Sequence, residues 1–310
     1  MAVPLGAVAS LLPFVSPGLA LIAGMAVGLA LGNPFARATR TLSRELLALS
    51  VIGLGADMDL GAILRTGAGG ASYTALGIGF CLGFGSWLAR SLRVGSVLGL
   101  LVTVGTAICG GSAIAAAAPV LRAKEHEVTV ALAIVFLLNG AALLVFPPIG
   151  HAVGLDQEQF GTWAALAIHD TSSVVGASLA YGPRALEVAT AMKLARALWI
   201  VPLTLGISVW GRRREGGASA AAPRVAAARP WFIAGFLGAA AVVTLLPALR
   251  PVGHVVSLLA RQLMASTLFL IGAGLTRAAL RTVGARPLLH GLGLWVAVAG
   301  LSLAGILVFG

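Results

Sequence analysis

Apolar residues in this chain come in long blocks separated by short polar breaks. The blocks neither alternate as half-buried strands do nor carry the broad polar stripe of a soluble helix. Ten of them are expected to form helices: Pro17–Leu31, Leu46–Met58, Gly70–Leu88, Gly95–Leu121, Val128–Ile149, Phe160–Tyr181, Val188–Trp210, Trp231–Leu249, Val252–Leu275 and Pro287–Gly310. Crossing the hydrocarbon core of a bilayer takes about 20 helical residues, so the first two blocks would borrow from their flanks. Pro4–Val15 is apolar as well, but Pro4 and Pro13 interrupt it and it is not counted as a span. The longest polar stretch, Gly211–Arg229, reads as a flexible linker over residues 211–230. Trp87, Trp210 and Trp231 stand at block ends, where aromatic belts form.

Composition narrows the class. Of 310 residues, 59% are apolar and 10% charged, and mean hydropathy is +1.00. A soluble domain carries about 25% charged residues, so a soluble enzyme, a disordered chain, a secreted disulfide scaffold and a coiled coil are excluded. A β-barrel would alternate in polarity over segments of about ten residues. The expectation is an all-α, polytopic membrane protein with the lipid bilayer as its surroundings. The net charge of +11 would suggest nucleic acid in a soluble protein. Here the basic residues fall mostly in the breaks, as the positive-inside rule requires, and no nucleic-acid partner is expected. Cys81 and Cys109 lie inside apolar blocks and suggest neither a disulfide nor a zinc site. No basic stretch precedes Arg37, so the start does not read as a cleaved secretory signal.

The chain repeats itself. Arg44–Ala56 resembles Arg261–Ala273 at an offset of 217, and Ala107–Ser112 resembles Ala167–Ser172 at an offset of 60. Two membrane repeats, residues 1–150 and 151–310, are therefore expected. If all ten blocks cross, the first pair is inverted and the second parallel. If the fourth and sixth blocks are broken or re-entrant, both pairs are inverted, which is the preferred arrangement. It leaves 15 Lys and Arg on one side and 4 on the other. Either arrangement puts the amino terminus outside.

The fourth block contains Gly105-Thr106-Ala107-Ile108-Cys109-Gly110-Gly111-Ser112. Three glycines among small polar groups let the backbone leave helical geometry, and freed amides at a half-helix end can hold an anion. The same small residues would also suit close helix packing. The sixth block contains His169-Asp170-Thr171-Ser172-Ser173, and the seventh adds Lys193 and Arg196 at helical i, i+3 spacing. Ionisable groups so deep in apolar blocks are costly unless they pair or line a pathway. One carboxylate cannot neutralise two cations, which leaves a positive hole for a small anionic substrate. Thr106, Cys109, Gly110, Gly111, Ser112, Thr171, Ser172, Ser173, Lys193 and Arg196 are thus candidate substrate-binding residues, with His169 and Asp170 candidates for coupling to an ion. The plainer alternative has Asp170 neutralising Lys193 or Arg196 merely to orient helices, with Arg196 snorkelling toward an interface. Asp57 and Asp59 read as interfacial, Glu127 and Glu187 as helix caps, and Asn139 as a structural interhelical contact. No metal-ligand spacing, no GK[ST] phosphate loop and no GxSG protease motif occurs, so neither cofactor, metal nor catalytic residue is expected.

Three of these stretches, Gly105–Ala133, Phe160–Ala177 and Ala189–Pro202, resemble the YeiH-like bacterial membrane proteins that are labelled sulfate exporters. The likeness reaches Ala285–Leu289 and runs from about Gly18. Asp170 stands where Glu is familiar, and the amino terminus looks shorter by roughly one helix. The resemblance implies a multi-pass protein of the bacterial inner membrane in the superfamily of sodium/proton antiporters and bile-acid symporters. That fold has inverted repeats and crossed, interrupted helices. The implied function is secondary-active export of a sulfate-like or sulfonate-like anion coupled to protons or sodium. A passive anion channel is the alternative, and an intramembrane enzyme the remoter one. Carriers of this kind commonly pair, which leaves room for a homodimer.

Overall fold

A computed structural model describes residues 2–12, 15, 17–200, 202–203, 206–207, 231–274, 276–277 and 283–309. Among these residues every regular element is helical. The elements are α1 (Ala2–Ala9), α2 (Pro17–Leu31), α3 (Ala36–Gly55), α4 (Leu60–Gly69), α5 (Ala71–Ser91), α6 (Ser96–Ala107), α7 (Gly111–Val120), α8 (Glu125–Ala152), α9 (Gln157–Ala167), α10 (Thr171–Tyr181), α11 (Pro183–Ala197), α12 (Trp231–Leu245), α13 (Arg250–Ala273) and α14 (Ala285–Phe309). The linker expected at 211–230, Trp210 and the end of the seventh block lie outside the described residues.

Several elements depart from the block pattern for local reasons. The helix α1 forms despite Pro4, because proline in a first turn removes an amide that has no partner there anyway. The helix α3 starts ten residues before the apolar block, since Arg37, Arg40 and Arg44 are good helix formers even where they break the hydropathy. After Gly55 the chain turns through 110° into α4. Asp59 starts that helix by accepting the Ala62 amide on Oδ1 at 2.7 Å. Glu127 closes the start of α8 by accepting the Lys124 amide at 2.9 Å. Glu187, expected to cap α11, does not. It pairs instead with Arg184 at 2.9 Å, and Arg184 also reaches Glu158 at 2.7 Å. The helix α11 begins behind Gly182 with proline at its first position.

The helices form two groups. In one, α13 packs along α2 and α3, with α12 on α3 and α1 on α13. Gly24 and Gly272 bring α2 and α13 into backbone contact: a Cβ on Gly24 would lie 2.1 Å from Phe269 O, and one on Gly272 2.5 Å from Leu21 O. In the other group α5 packs on α6, α8 on α6 and α10, α11 on α9 and α10, and α14 on α5 and α9. The short α4 joins them by touching both α11 and α12, and α10 leans on α2 and α13. Matching neighbours recur. As α5 flanks α6, so α14 flanks α9; as α8 flanks α6, so α11 flanks α9; as α13 lies beside α2, so α3 lies beside α12. The two sequence resemblances fall on helices matched in the same way, α3 with α13 and the end of α6 with the end of α9.

The distribution of polarity is that of a membrane protein. Leu76, Leu245, Val308 and Phe309 are each more than 70% exposed, while Lys193, His169 and Arg196 are at most 2% exposed. Water would reverse this ordering; a hydrocarbon surround does not. Three helical stretches, Glu125–Ala152, Pro247–Ala273 and Ala285–Phe309, are long and apolar enough to cross a bilayer unaided.

Candidate functional site

The fourth and sixth blocks are each two helices, broken at residues 108–110 and 168–170. A helix that ends inside a protein leaves its last four carbonyls without amide partners. At the end of α9 those carbonyls belong to Ala165, Leu166, Ala167 and Ile168, and each one accepts from a side chain. Lys193 Nζ donates to Ile168 O at 2.6 Å and Ala165 O at 3.3 Å. Arg196 Nη1 donates to Ala165 O at 3.0 Å and to Leu166 O. Trp295 Nε1 on α14 donates to Ala167 O at 3.1 Å.

Arg196 serves the end of α6 as well. Its Nε donates to Ala107 O at 2.9 Å, and Nη2 donates to Ala107 O at 2.6 Å and Thr106 O at 3.2 Å. All five guanidinium hydrogens are therefore engaged by backbone, and one planar fork ties the ends of two half-helices together. This assigns Arg196 a different job from the one expected of it. It holds the ends of α6 and α9 together and has no N–H left for a substrate. At 2% exposure it does not snorkel either.

The break after α6 is closed by Gly110, whose amide reaches back to Gly105 O at 2.8 Å. Gly110 has φ +67° and ψ −120°, a conformation that a side chain would oppose. A Cβ there would lie 3.0 Å from Val135 Cγ1, 3.5 Å from His169 Cβ and 3.6 Å from Asp170 Cβ. The two breaks thus abut one another against α8. Asp170 is the N-cap of α10: its carboxylate accepts from the Ser172 amide at 3.1 Å and from the Ser172 hydroxyl. The Asp170 amide donates to Asn139 Oδ1 at 3.2 Å, which binds α8 to the same break. His169 Nε2 lies 3.0 Å from Thr106 Oγ1, and that hydroxyl donates its hydrogen to Val102 O at 3.0 Å. With the hydroxyl hydrogen assigned to Val102 O, the oxygen accepts from Nε2, and that assignment fixes the imidazole tautomer.

Lys193 is fully buried. Among the described residues no ion pair joins Asp170 to it or to Arg196. Two cations face two helix C-termini worth about −0.5 charge each, while Asp170 faces two N-termini worth about +0.5 each. About one positive charge remains in excess.

Of the other expected residues, Thr106, Cys109, Thr171, Ser172 and Ser173 are buried in the junction, with the Cys109 thiol against Ser112. Gly111 and Asp170 are half-buried and Ser112 is exposed, so the junction is sealed on the lysine side and open along a Ser112–Asp170 rim. Unlike α10, α7 starts behind a glycine that has no side chain to cap it, and the Cys109 thiol lies against the Ala113 amide of its first turn instead. Asn139 and Trp295 also belong to the junction. Each is a polar-tipped side chain in the middle of an apolar block, the same signal that singled out His169. Asp57 pairs with His254 at 3.2 Å and with Arg261 at 3.9 Å, away from the junction. A separate cavity of ≈ 360 Å³ is lined by Asp57, Asp59, Arg184, Glu187, Thr244 and Arg250 among others, and holds none of the junction residues.

The family model described as conserved hypothetical protein 698 matches residues 5–291. A UPF0324 membrane protein of Bdellovibrio bacteriovorus is 54% identical over 99% of this chain and 94% of its own length. Others from Porphyromonas gingivalis and Geobacter sulfurreducens are 49% and 47% identical, over 96% and 95% of this chain and 89% and 92% of their own. No solved structure matches.

Proposed function

The chain belongs to the UPF0324 membrane protein family, and from that premise we propose that it is a secondary-active carrier moving a small anion across the bacterial inner membrane. One observation carries this reading: two broken helices abut at Gly110 around a buried lysine that forms no ion pair with a carboxylate among the described residues. A charge held in low dielectric is tolerable only when paired, and a carrier needs pairing that its cargo completes and then releases. Lys193 holds one N–H beyond the two given to carbonyls, and α7 starts at the same junction behind Gly110, which offers its first amides no side-chain cap.

Asp170, half-buried at the rim, and His169 behind it are the groups through which a proton or sodium ion would be coupled. Both broken helices lie in one helix group, whose main contacts with the other, among the described residues, are made by α10, α8 and the short α4. Sliding or rocking between the groups would present the junction to either side. Each broken pair totals about 33 Å of helix at 1.5 Å per residue, enough to place its break near the bilayer midplane.

Counterflow in proteoliposomes with sulfate, sulfite, thiosulfate and small sulfonates tests this. Saturable exchange of at least one of them is expected, falling at least about tenfold in Lys193→Ala, the equivalent of about 1.4 kcal/mol of binding. Flux that does not saturate, or that is the same in the variant, would remove the carrier assignment.

A further inference from the structure

Two side chains at the junction carry a polar atom that meets no partner among the described residues: Asn139 Nδ2 and His169 Nδ1. They are 2% and 1% exposed. Their neighbours fix what each atom offers. Asn139 turns its oxygen to the Asp170 amide, which can only donate, so the other end of the carboxamide is an NH₂ donor. His169 gives its Nε2 hydrogen to Thr106, so in the neutral ring Nδ1 is a bare acceptor. Lys193 adds a second donor, since an ammonium has three hydrogens and two are taken.

Two donors and one acceptor therefore flank the same break at residues 168–170. A fully ionised oxyanion such as sulfate only accepts, and would set its lone pairs against His169 Nδ1. The excess of about one positive charge at the junction likewise matches a monoanion better than a dianion. Resting on the carrier reading above, we infer that the cargo is a small oxyanion that keeps one acidic O–H, such as hydrogensulfite or dihydrogenphosphate. Its hydroxyl donates to His169 Nδ1, and its other oxygens accept from Asn139 Nδ2 and Lys193 Nζ. The proton then crosses on the substrate.

Other groups around the junction also titrate or carry charge: Asp170 in the same break, Cys109 in the break after α6, Cys81 on α5, and Lys193 and Arg196 on α11. The test must separate their titration from that of the substrate. Uptake of labelled sulfite, phosphate, sulfate and methanesulfonate into proteoliposomes holding the full chain does so across mildly acid to mildly alkaline pH. Sulfite or phosphate is expected to exceed sulfate and methanesulfonate at least about tenfold at the acid end. Sulfite and phosphate pass nearly the same second ionisation near neutral pH, so uptake of both should fall together there, while methanesulfonate, a monoanion throughout, reports the titration of the protein's own groups. Equal uptake of sulfate or methanesulfonate, or sulfite and phosphate uptake that does not fall across their second ionisation beyond any change seen with methanesulfonate, overturns the inference and leaves the carrier standing. No uptake of any of the four takes both down. Asn139→Asp keeps an oxygen for the Asp170 amide while replacing the NH₂ donor, and should raise KM for sulfite at least about tenfold. An unchanged KM in folded Asn139→Asp also overturns the inference; if that variant does not fold, the comparison of substrates decides alone.

Discussion

Replacing Arg196 by leucine is expected to leave little folded protein in the membrane. The substitution keeps bulk and removes the donors of three buried carbonyls, those of Thr106, Ala107 and Leu166, while Ala165 retains only its 3.3 Å contact with Lys193. An unsatisfied buried polar group costs about 1–3 kcal/mol. Three together approach the whole stability of a typical domain, about 5–15 kcal/mol. Arg196→Lys keeps the charge but offers three hydrogens on one point in place of five in a fork, and should recover part of the loss. Fluorescence-detected gel filtration of the membrane fraction reads the outcome. A monodisperse peak for Arg196→Leu at wild-type height and melting temperature would show that the two half-helices do not depend on the guanidinium.

Gly110→Val is expected to fold poorly and to lose transport altogether. A β-branched residue at φ +67° and ψ −120° is strained by about 1–3 kcal/mol. Its side chain would also meet Val135, His169 and Asp170 at 3.0 to 3.6 Å, with no flexible tip to yield. The relief available is to push the two breaks apart. Even molecules that fold would then hold Lys193 and the α7 amides too far from one anion, and exchange should fall more than about tenfold. Gly110→Ala meets the same backbone penalty with less bulk and should lie between. Wild-type exchange by Gly110→Val would mean that the breaks do not need to touch.

Much of this was legible from residue types. Glycines at 105, 110 and 111 and the His-Asp-Thr-Ser-Ser run mark places where an apolar helix cannot continue undisturbed, and both breaks fall there. The density of ionisable residues between 169 and 196 pointed to the right quarter of the chain. The partners of those residues were not legible. Backbone carbonyls leave no trace in a sequence, so nothing announced that Arg196 would meet four carbonyls on two other helices. Asn139 reads from the sequence as an interhelical contact, and it is one, but its partner at the break was not legible. Trp295 looked like an ordinary member of its apolar block. The helix α4 was missed because ten residues led by an aspartate look like a polar break until the cap is seen. The matching of helix neighbours, α5 and α8 on α6 with α14 and α11 on α9, could be noticed only once the packing was known.

The claim on which the rest depends is that the surplus charge of Lys193 is answered by a bound anion, and melting of the purified chain with and without oxyanion measures it directly. A ligand at about a hundred times its Kd adds about 2.7 kcal/mol to the folded state, which should lift Tm by several degrees. The wild-type chain is expected to show that rise with sulfite or phosphate, and Lys193→Met to show none at any concentration. Equal rises in the two proteins, or no rise in the wild type with any small oxyanion, would contradict it.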